Sequence, residues 1–351
     1  MSFGVYVHIP FCSRRCDYCA FATWTDRAHL MTQYAAACVA EVASAELPPA
    51  SSVFFGGGTP SLLPGHLLLE ILGAIGTIPD AEVTVECNPE TVTAELLTQY
   101  RAGGVNRLTF GVQSMQPSTL ASLGRQHDPA EAVRAIGLAR SSGFDSFNVD
   151  LIYGAAGETI EDWRATLDAV AALDPPHVSA YALTVEPGTP LAEDSARHPD
   201  DDDQAAKYLM TEEVLSGAGL ANYEISNWAK PGHECRHNLL YWSQGNYRGI
   251  GCAAHSHKDG RRWWNVRTPE RYIAAIERGE SPLAVEEVLD ADTRQVELHQ
   301  LSLRTRDGVP TDALSDDDRE TLEGLVRPEG DRLVLTPEGR LLANEVAARL
   351  R

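Results

Sequence analysis

Long apolar stretches are missing from this chain: no run approaches the roughly 18 residues of a membrane-spanning helix, which excludes that class of protein. Basic charge is scarce as well. Lysine and arginine total 29 against 50 aspartates and glutamates, a formal charge of -21, so nucleic acid is not an expected partner, because phosphate binding needs a basic face. Most of that acidity reads as solvated surface. The start of the chain carries no apolar leader, and the cysteines number seven, an odd count in 351 residues. Both absences argue against a disulfide framework and for a reducing compartment, the cytoplasm. No tandem repeat or low-complexity tract is evident. An apolar content of 43% over 351 residues is enough for a real core and about two domains.

What the chain does have is a cysteine cluster near its start. Cys12, Cys16 and Cys19 are spaced x3 then x2 in the stretch Tyr6-Val7-His8-Ile9-Pro10-Phe11-Cys12-Ser13-Arg14-Arg15-Cys16-Asp17-Tyr18-Cys19. Three thiolates on one loop can hold three irons of a [4Fe-4S] cube and leave the fourth iron without a protein ligand. An open metal position is where chemistry happens. Structural zinc would want a fourth ligand close by, and the next cysteine is Cys38.

From the start to about Val185, short β-rich runs alternate with amphipathic helical stretches. The periodicity predicts strands at Gly4 to Ile9, Ser52 to Gly56, Glu82 to Cys87, Arg107 to Gln113, Ser146 to Ile152 and Val178 to Leu183. Helices are expected over Arg27 to Glu46, Pro64 to Thr77, Ala94 to Gly103, Pro129 to Ser142 and Ile160 to Leu173. Such βα units, with mostly apolar strands, imply an α/β fold whose parallel sheet is buried on both faces, either open and doubly wound or a partial barrel. Ligands of parallel folds sit at the carboxyl ends of strands, and here each such end is polar or conformationally special. The cysteine loop follows the first strand, Gly56-Gly57-Gly58-Thr59-Pro60 the second, Glu86 and Asn88-Pro89 close the third, Gln113-Ser114 the fourth and Asp150 the fifth.

The glycine loop lets backbone approach a ligand, although a strand-to-helix turn would also use glycine for steric reasons. It is not a nucleotide P-loop, since no Lys-Ser or Lys-Thr follows. A carboxylate at Glu86 facing a barrel interior is costly unless it binds something, such as ribose hydroxyls or an ammonium group. Gln113, Arg125 and Asp150 supply an amide, a cation and an anion suited to a zwitterionic ligand; Arg125 is preferred over Arg107 or Arg134 for its spacing from Gln113. His8 is read as a satisfied core histidine.

The Tyr6 to Cys12 string, the CxxxCxYC spacing and the following Phe21 resemble the radical S-adenosylmethionine (SAM) superfamily, in its coproporphyrinogen III oxidase-like family. The resemblance implies a (β/α)6 three-quarter barrel, a [4Fe-4S] cluster on Cys12, Cys16 and Cys19, and SAM chelating the open iron. It also implies cofactor contacts from Tyr6, Tyr18, Gly57, Gly58, Thr59, Glu86, Gln113, Arg125 and Asp150. True coproporphyrinogen dehydrogenases of the family carry a further cysteine where this chain has Phe21 and a longer extension before the first cysteine. Those departures place the chain near the heme chaperone branch, not expected to decarboxylate coproporphyrinogen. In that branch the expected ligand is heme, and the expected partners are acceptor hemoproteins, those of a respiratory chain included. The alternative is an enzyme using radical chemistry on a porphyrin or another small molecule, by oxidative decarboxylation, methylation or cyclopropanation.

Cys235-Arg236-His237-Asn238-Leu239-Leu240-Tyr241-Trp242 contains an HNxxYW string that resembles the signature of the heme chaperone branch. Imidazole is a good axial ligand for heme iron, and flat aromatic rings suit a porphyrin face. Trp228, Trp242, Trp263 and Trp264 fall near it, as do His233, His237, His255 and His257. His237 is therefore the candidate heme ligand, with Cys235 second; the same cluster also fits a core in which Asn238 and Tyr241 fasten a loop. Cys38, Cys87 and Cys252 read as small buried hydrophobes. Asn222 to Trp228 is expected as one more strand. Residues 1-218 form the expected barrel, 219-289 an α+β region, and 290-351 a small winged-helix-like module. That module carries Asp316-Asp317-Asp318 and no basic stripe, which points to a lid or docking role and not to DNA.

Overall fold

The computed structural model describes residues 2-351. Strands β1 (Phe3–Ile9), β2 (Ala50–Gly57), β3 (Thr77–Cys87), β4 (Arg107–Gln113), β5 (Ser146–Tyr153) and β6 (His177–Ala182) alternate with helices. The helices are α1 (Met31–Ser44), α2 (Gly65–Ala74), α3 (Ala94–Ala102), the short α4 (Pro117–Ser122), α5 (Pro129–Ser141) and α6 (Ile160–Ala172). Neighbouring strands pair in parallel and in sequence order, the α/β arrangement expected of βα units. Local sequence fixes the helix starts: Asp128 with Glu131, and Thr159 with Asp162, form capping boxes on α5 and α6.

The strands differ from the expectation of two apolar faces. Val5, Val7, Val53, Phe55, Val85, Leu108, Phe110 and Val149 are fully buried in the main core. Their neighbours Tyr6, His8, Arg107, Thr109, Asn148, Asp150, His177 and Ser179 point the other way and line one cavity. This is the period-2 alternation of a sheet with a polar side. Because β1 and β6 both contribute to that cavity, the sheet curves around a polar lumen as a partial barrel.

After α7 (Asp201–Gly217), the stretch expected as one strand is a hairpin of β7 (Ala221–Glu224) and β8 (Asn227–Ala229). The cause is Glu224, whose carboxylate accepts from Ser226 N–H and the Asn227 side chain and so ties a turn. β8 pairs antiparallel with β6. On the opposite edge β9 (Asn246–Ile250) runs parallel to β1, followed by β10 (His255–Lys258), β11 (Arg261–Asn265) and β12 (Leu283–Val288) in antiparallel array. The product is one 12-stranded sheet, ordered β12-β11-β10-β9-β1-β2-β3-β4-β5-β6-β8-β7. A boundary after residue 218 thus runs through a continuous sheet, and Trp228, Ile250 and Tyr272 share the core of β1. Two helices, α8 (Arg236–Trp242) and α9 (Pro269–Glu277), complete this body.

Beyond it lie α10 (Ala291–Ser302), β13 (Val309–Pro310), α11 (Asp316–Thr321), β14 (Val326–Glu329), β15 (Arg332–Leu335), α12 (Pro337–Leu341) and α13 (Ala343–Ala347). The three strands, in order β13-β15-β14, enclose a separate core that includes Leu303, Leu314, Leu333 and Val346. That order of elements is compatible with the winged-helix reading. Among the described residues, no helix is long and apolar enough to cross a membrane.

Candidate functional site

The cysteine loop leaves β1 at the carboxyl rim of the barrel, and its base is fixed by backbone. Cys12 N–H donates to Trp24 O at 3.1 Å and Trp24 N–H to Pro10 O at 2.8 Å, while the Phe11 ring packs edge-on against Tyr34. The thiols of Cys12, Cys16 and Cys19 are unpaired and half-buried. They line a pocket of about 560 Å³ together with Tyr18, Gly57, Gly58, Thr59, Glu86, Gln113, Arg125 and Asp150. Of the residues chosen from sequence, Tyr6 and His237 stand outside it.

Among the described residues no His, Cys, Asp and Glu side chains converge in threes on a single metal ion. A cube makes a different demand, since each thiolate binds a different iron and the three need a common pocket, not a common point. The donor set fits that demand. Arg125 Nη1 lies 3.6 Å from Cys16 Sγ and Thr59 Oγ1 3.6 Å from Cys12 Sγ, donors placed to temper the charge of thiolate ligands. Burial pushes the Cys12 and Cys19 thiols up, a direction that a coordinated cation reverses.

Close packing explains the glycine loop. Gly57 sits at φ +108°, and a Cβ there would lie 2.4 Å from the His8 ring; one on Gly58 would lie 2.7 Å from the carbonyl oxygens of Ile9 and Phe11. The N–H groups of Gly58 and Thr59 are spent on those same carbonyls at 2.8 Å. A ligand ammonium, which needs acceptors, therefore suits this loop better than an anion. Arg125 is held by Asn88 Oδ1 at 3.0 Å and Gly111 O at 2.8 Å, and Asn88 Nδ2 in turn donates to Thr59 at 3.2 Å. Gln113 adopts φ +66° where the β4–β5 register shifts, a strained conformation for a side chain other than glycine. Asp150 accepts from Thr109 and Asn148, both at 2.7 Å.

Burial first, then the Asp150 carboxylate, raises Glu86 from 4.5 to about 8 against one hydrogen bond from Gly57 N–H. The unfolded chain loses this proton near 4.5 and the fold keeps it to about 8, so stability falls as pH rises between those values and levels off above them. Glu224 is also raised to about 8. The informative measurement is thus the difference in urea-unfolding free energy between wild type and Glu86→Gln, which is expected to shift in favour of the variant across this window. A pH-independent difference would show that Glu86 is not held neutral by the fold.

A second cavity, of about 830 Å³, fills the lumen and meets the cysteine pocket across Phe21, Glu86 and Asp150. Tyr6 lies here, hydrogen-bonded to His8 Nδ1 at 3.1 Å. The HNxxYW segment forms α8 on the wall, where Glu82 accepts from the N–H groups of Arg236 and His237 at 3.0 and 3.1 Å. His237 does not match the open ligand expected from sequence. It is fully buried, its Nδ1 pairs with Ser52 Oγ at 2.8 Å, its Nε2 with Tyr241 Oη at 2.7 Å, and its ring stacks on Phe54. Burial pushes it down to about 3, so it is neutral, and both nitrogens are committed, Nδ1 to docking α8 against β2 and Nε2 to Tyr241 one turn along α8 itself. Cys235 is likewise enclosed, 1% exposed with its sulfur toward Glu82. Cys38, Cys87 and Cys252 are buried, as expected.

Sequence reasoning weighed Arg107 against Arg125 and set it aside, with no role assigned in the lumen. The residue is 3% exposed, lines the lumen cavity, has no hydrogen-bond partner at Nε, and forms no ion pair among the described residues. Alternation with Thr109 could have assigned it to the lumen; its lack of a partner could not be read from sequence.

Comparison with known proteins places this geometry. The family model for the radical SAM superfamily matches residues 6-170. The heme chaperone HemW of Mycobacterium tuberculosis is 43% identical, with 99% of this chain and 94% of that protein covered. The heme chaperone HemW of Escherichia coli is 39% identical over 77% of this chain and 75% of its own. Among solved structures, the radical SAM enzyme coproporphyrinogen III oxidase (HemN) from Escherichia coli aligns with a TM-score of 0.85 at 25% identity, covering 99% of this chain and 89% of that one.

Proposed function

Because this chain belongs to the radical SAM superfamily, in the branch of the HemW heme chaperones, we propose that it binds heme and delivers it to acceptor hemoproteins, including those of a respiratory chain. Cys12, Cys16 and Cys19 would hold a [4Fe-4S] cluster, and SAM would bind beside it. When bound, that pair supplies one-electron chemistry at the sulfonium. The chain's own residues bind and orient. Glu86 and the glycine loop offer acceptors to the ammonium and ribose, Arg125 offers a cation to the carboxylate, and Gln113 and Asp150 close the rim.

The lumen cavity carries the heme reading. Its volume, about 830 Å³, falls within the roughly 300–1,000 Å³ of small-molecule sites, and Phe54, Tyr241, Tyr247 and Trp264 give it aromatic walls. The Glu82 and Asp150 carboxylates act on Arg107 without forming an ion pair with it, and its unpartnered Nε is a buried donor that a porphyrin propionate would satisfy. Hemin titrated into the cluster-loaded protein is expected to give a saturable Soret change. Arg107→Met should weaken hemin at least about tenfold, or about 1.4 kcal/mol, and leave SAM affinity unchanged. Absence of any Soret change in wild type would sink the proposal.

The contact between the two cavities favours one second reading, radical chemistry on a porphyrin or other small molecule held in the lumen. Formation of 5'-deoxyadenosine together with a modified porphyrin would select it over carriage alone.

A further inference from the structure

Five imidazoles line the lumen cavity: His8, His177, His237, His255 and His257. Axial ligation of heme iron requires a ring nitrogen with its lone pair free and accessible, and hydrogen bonds remove four of the five. His8 is held by Tyr6 Oη at 3.1 Å and Ala22 O at 2.9 Å. His177 is held by Asn148 at 2.6 Å and Tyr223 at 2.7 Å, and His237 by Ser52 and Tyr241 as described. His257 pairs with Gly245 O at 2.9 Å and accepts from Gly260 N–H at 3.1 Å. His255 differs from all of them. The residue is exposed, its ring only partly covered, and neither nitrogen has a partner among the described residues.

The position is held firmly even though the nitrogens are free. The ring stacks on Trp264, its cross-strand neighbour, at 5.2 Å and 19°. Close approach of β9 fixes the backbone, since a Cβ on Gly249 would lie 2.2 Å from His255 O. Burial lowers the imidazole from its ordinary range, which favours the neutral, metal-binding form. Among the described residues, no cysteine or methionine lines the cavity. The Tyr6 and Tyr241 hydroxyls are engaged by His8 and His237, and burial pushes the Tyr247 and Tyr181 phenols up, away from the tyrosinate that iron would need.

Resting on the heme reading above, we propose that His255 is the axial ligand to the heme iron and the single ligand the protein supplies, forming one iron–nitrogen bond and leaving the opposite face open. A cargo held by one protein bond can be handed to an acceptor that offers a second ligand. In this arrangement the HNxxYW segment builds the wall of the site, and the strand pair β10–β11 supplies the bond.

The test is hemin binding to the cluster-loaded, full-length protein, followed by visible absorption and electron paramagnetic resonance. Wild type is expected to show a single-imidazole, five-coordinate high-spin signature. His255→Ala should lose that signature and bind hemin at least about tenfold more weakly, free imidazole should restore the spectrum, and His255→Met should give thioether ligation. His237→Ala should keep the imidazole signature. Unchanged SAM binding by His255→Ala confirms that the variant is folded. If wild type ligates hemin and His255→Ala gives the same spectrum, or if wild type gives a tyrosinate or bis-imidazole signature, the assignment of His255 is wrong while the heme reading stands. If wild type perturbs the hemin spectrum in no way, the heme reading falls and takes this assignment with it.

Discussion

Alanine at Cys12, Cys16 or Cys19 is expected to abolish iron–sulfur binding while leaving the fold intact. Reconstituted wild type should carry about four irons and about four acid-labile sulfides per chain, and each variant should fall to background. The two outcomes separate because of where these thiols sit. None belongs to a hydrophobic core, and all three are half-buried on a loop whose base is tied by Cys12 to Trp24 and Trp24 to Pro10 through backbone groups. Loss of one such side chain should cost about 0.5 kcal/mol or less. A cube that keeps only two protein ligands, in contrast, is open to solvent and loss. The control is Cys252→Ala, which removes a fully buried thiol packed beside Tyr34. It should lower stability and leave iron content unchanged. Retention of full iron content in Cys16→Ala would overturn the assignment of the pocket, since Cys16 is the thiol that Arg125 faces.

Residues as far apart as Cys12 and Asp150 could be read into one site because parallel strands end at a common rim. Whatever terminates each strand, Gly57, Glu86, Gln113 or Asp150, is delivered to the same pocket without any need to know the packing. Arg125 was less determined, for it follows α4 on a loop and only its bonds to Asn88 and Gly111 bring it back to the cysteines. His237 was less determined still, for a different reason. Residue type and aromatic neighbours are visible in a string, but the occupancy of a ring nitrogen depends on Ser52, 185 residues away. The same holds in reverse for His255, whose freedom consists in contacts that are not made. The β7–β8 turn escaped because a carboxylate folding back on the next few residues overrode a run of good strand formers.

Glu41→Ala should destabilise the protein by about 3–5 kcal/mol, the cost of leaving the partners of a buried ionic group unpaired. Glu41 is 1% exposed on α1 and accepts four hydrogen bonds: from Arg248 at 3.0 Å, Gly251 N–H at 2.9 Å, Asn265 at 3.0 Å and Tyr272 at 2.6 Å. Those partners lie on β9, the β9–β10 turn, β11 and α9, so one carboxylate fastens the strands that carry His255 and Trp264 to the first helix of the barrel. Glu41→Gln should cost less. Its oxygen can keep one pair of donors while its amide nitrogen faces the other pair. Against a typical total stability of about 5–15 kcal/mol, the alanine variant should unfold at clearly lower urea. The loss should also be uneven. Below its unfolding midpoint, Glu41→Ala is expected to retain the cluster and SAM pocket, which is built from β1–β5 and the cysteine loop, while hemin affinity falls as β9–β11 loosen. Equal weakening of SAM and hemin would mean that Glu41 supports the whole barrel and not the heme-facing strands.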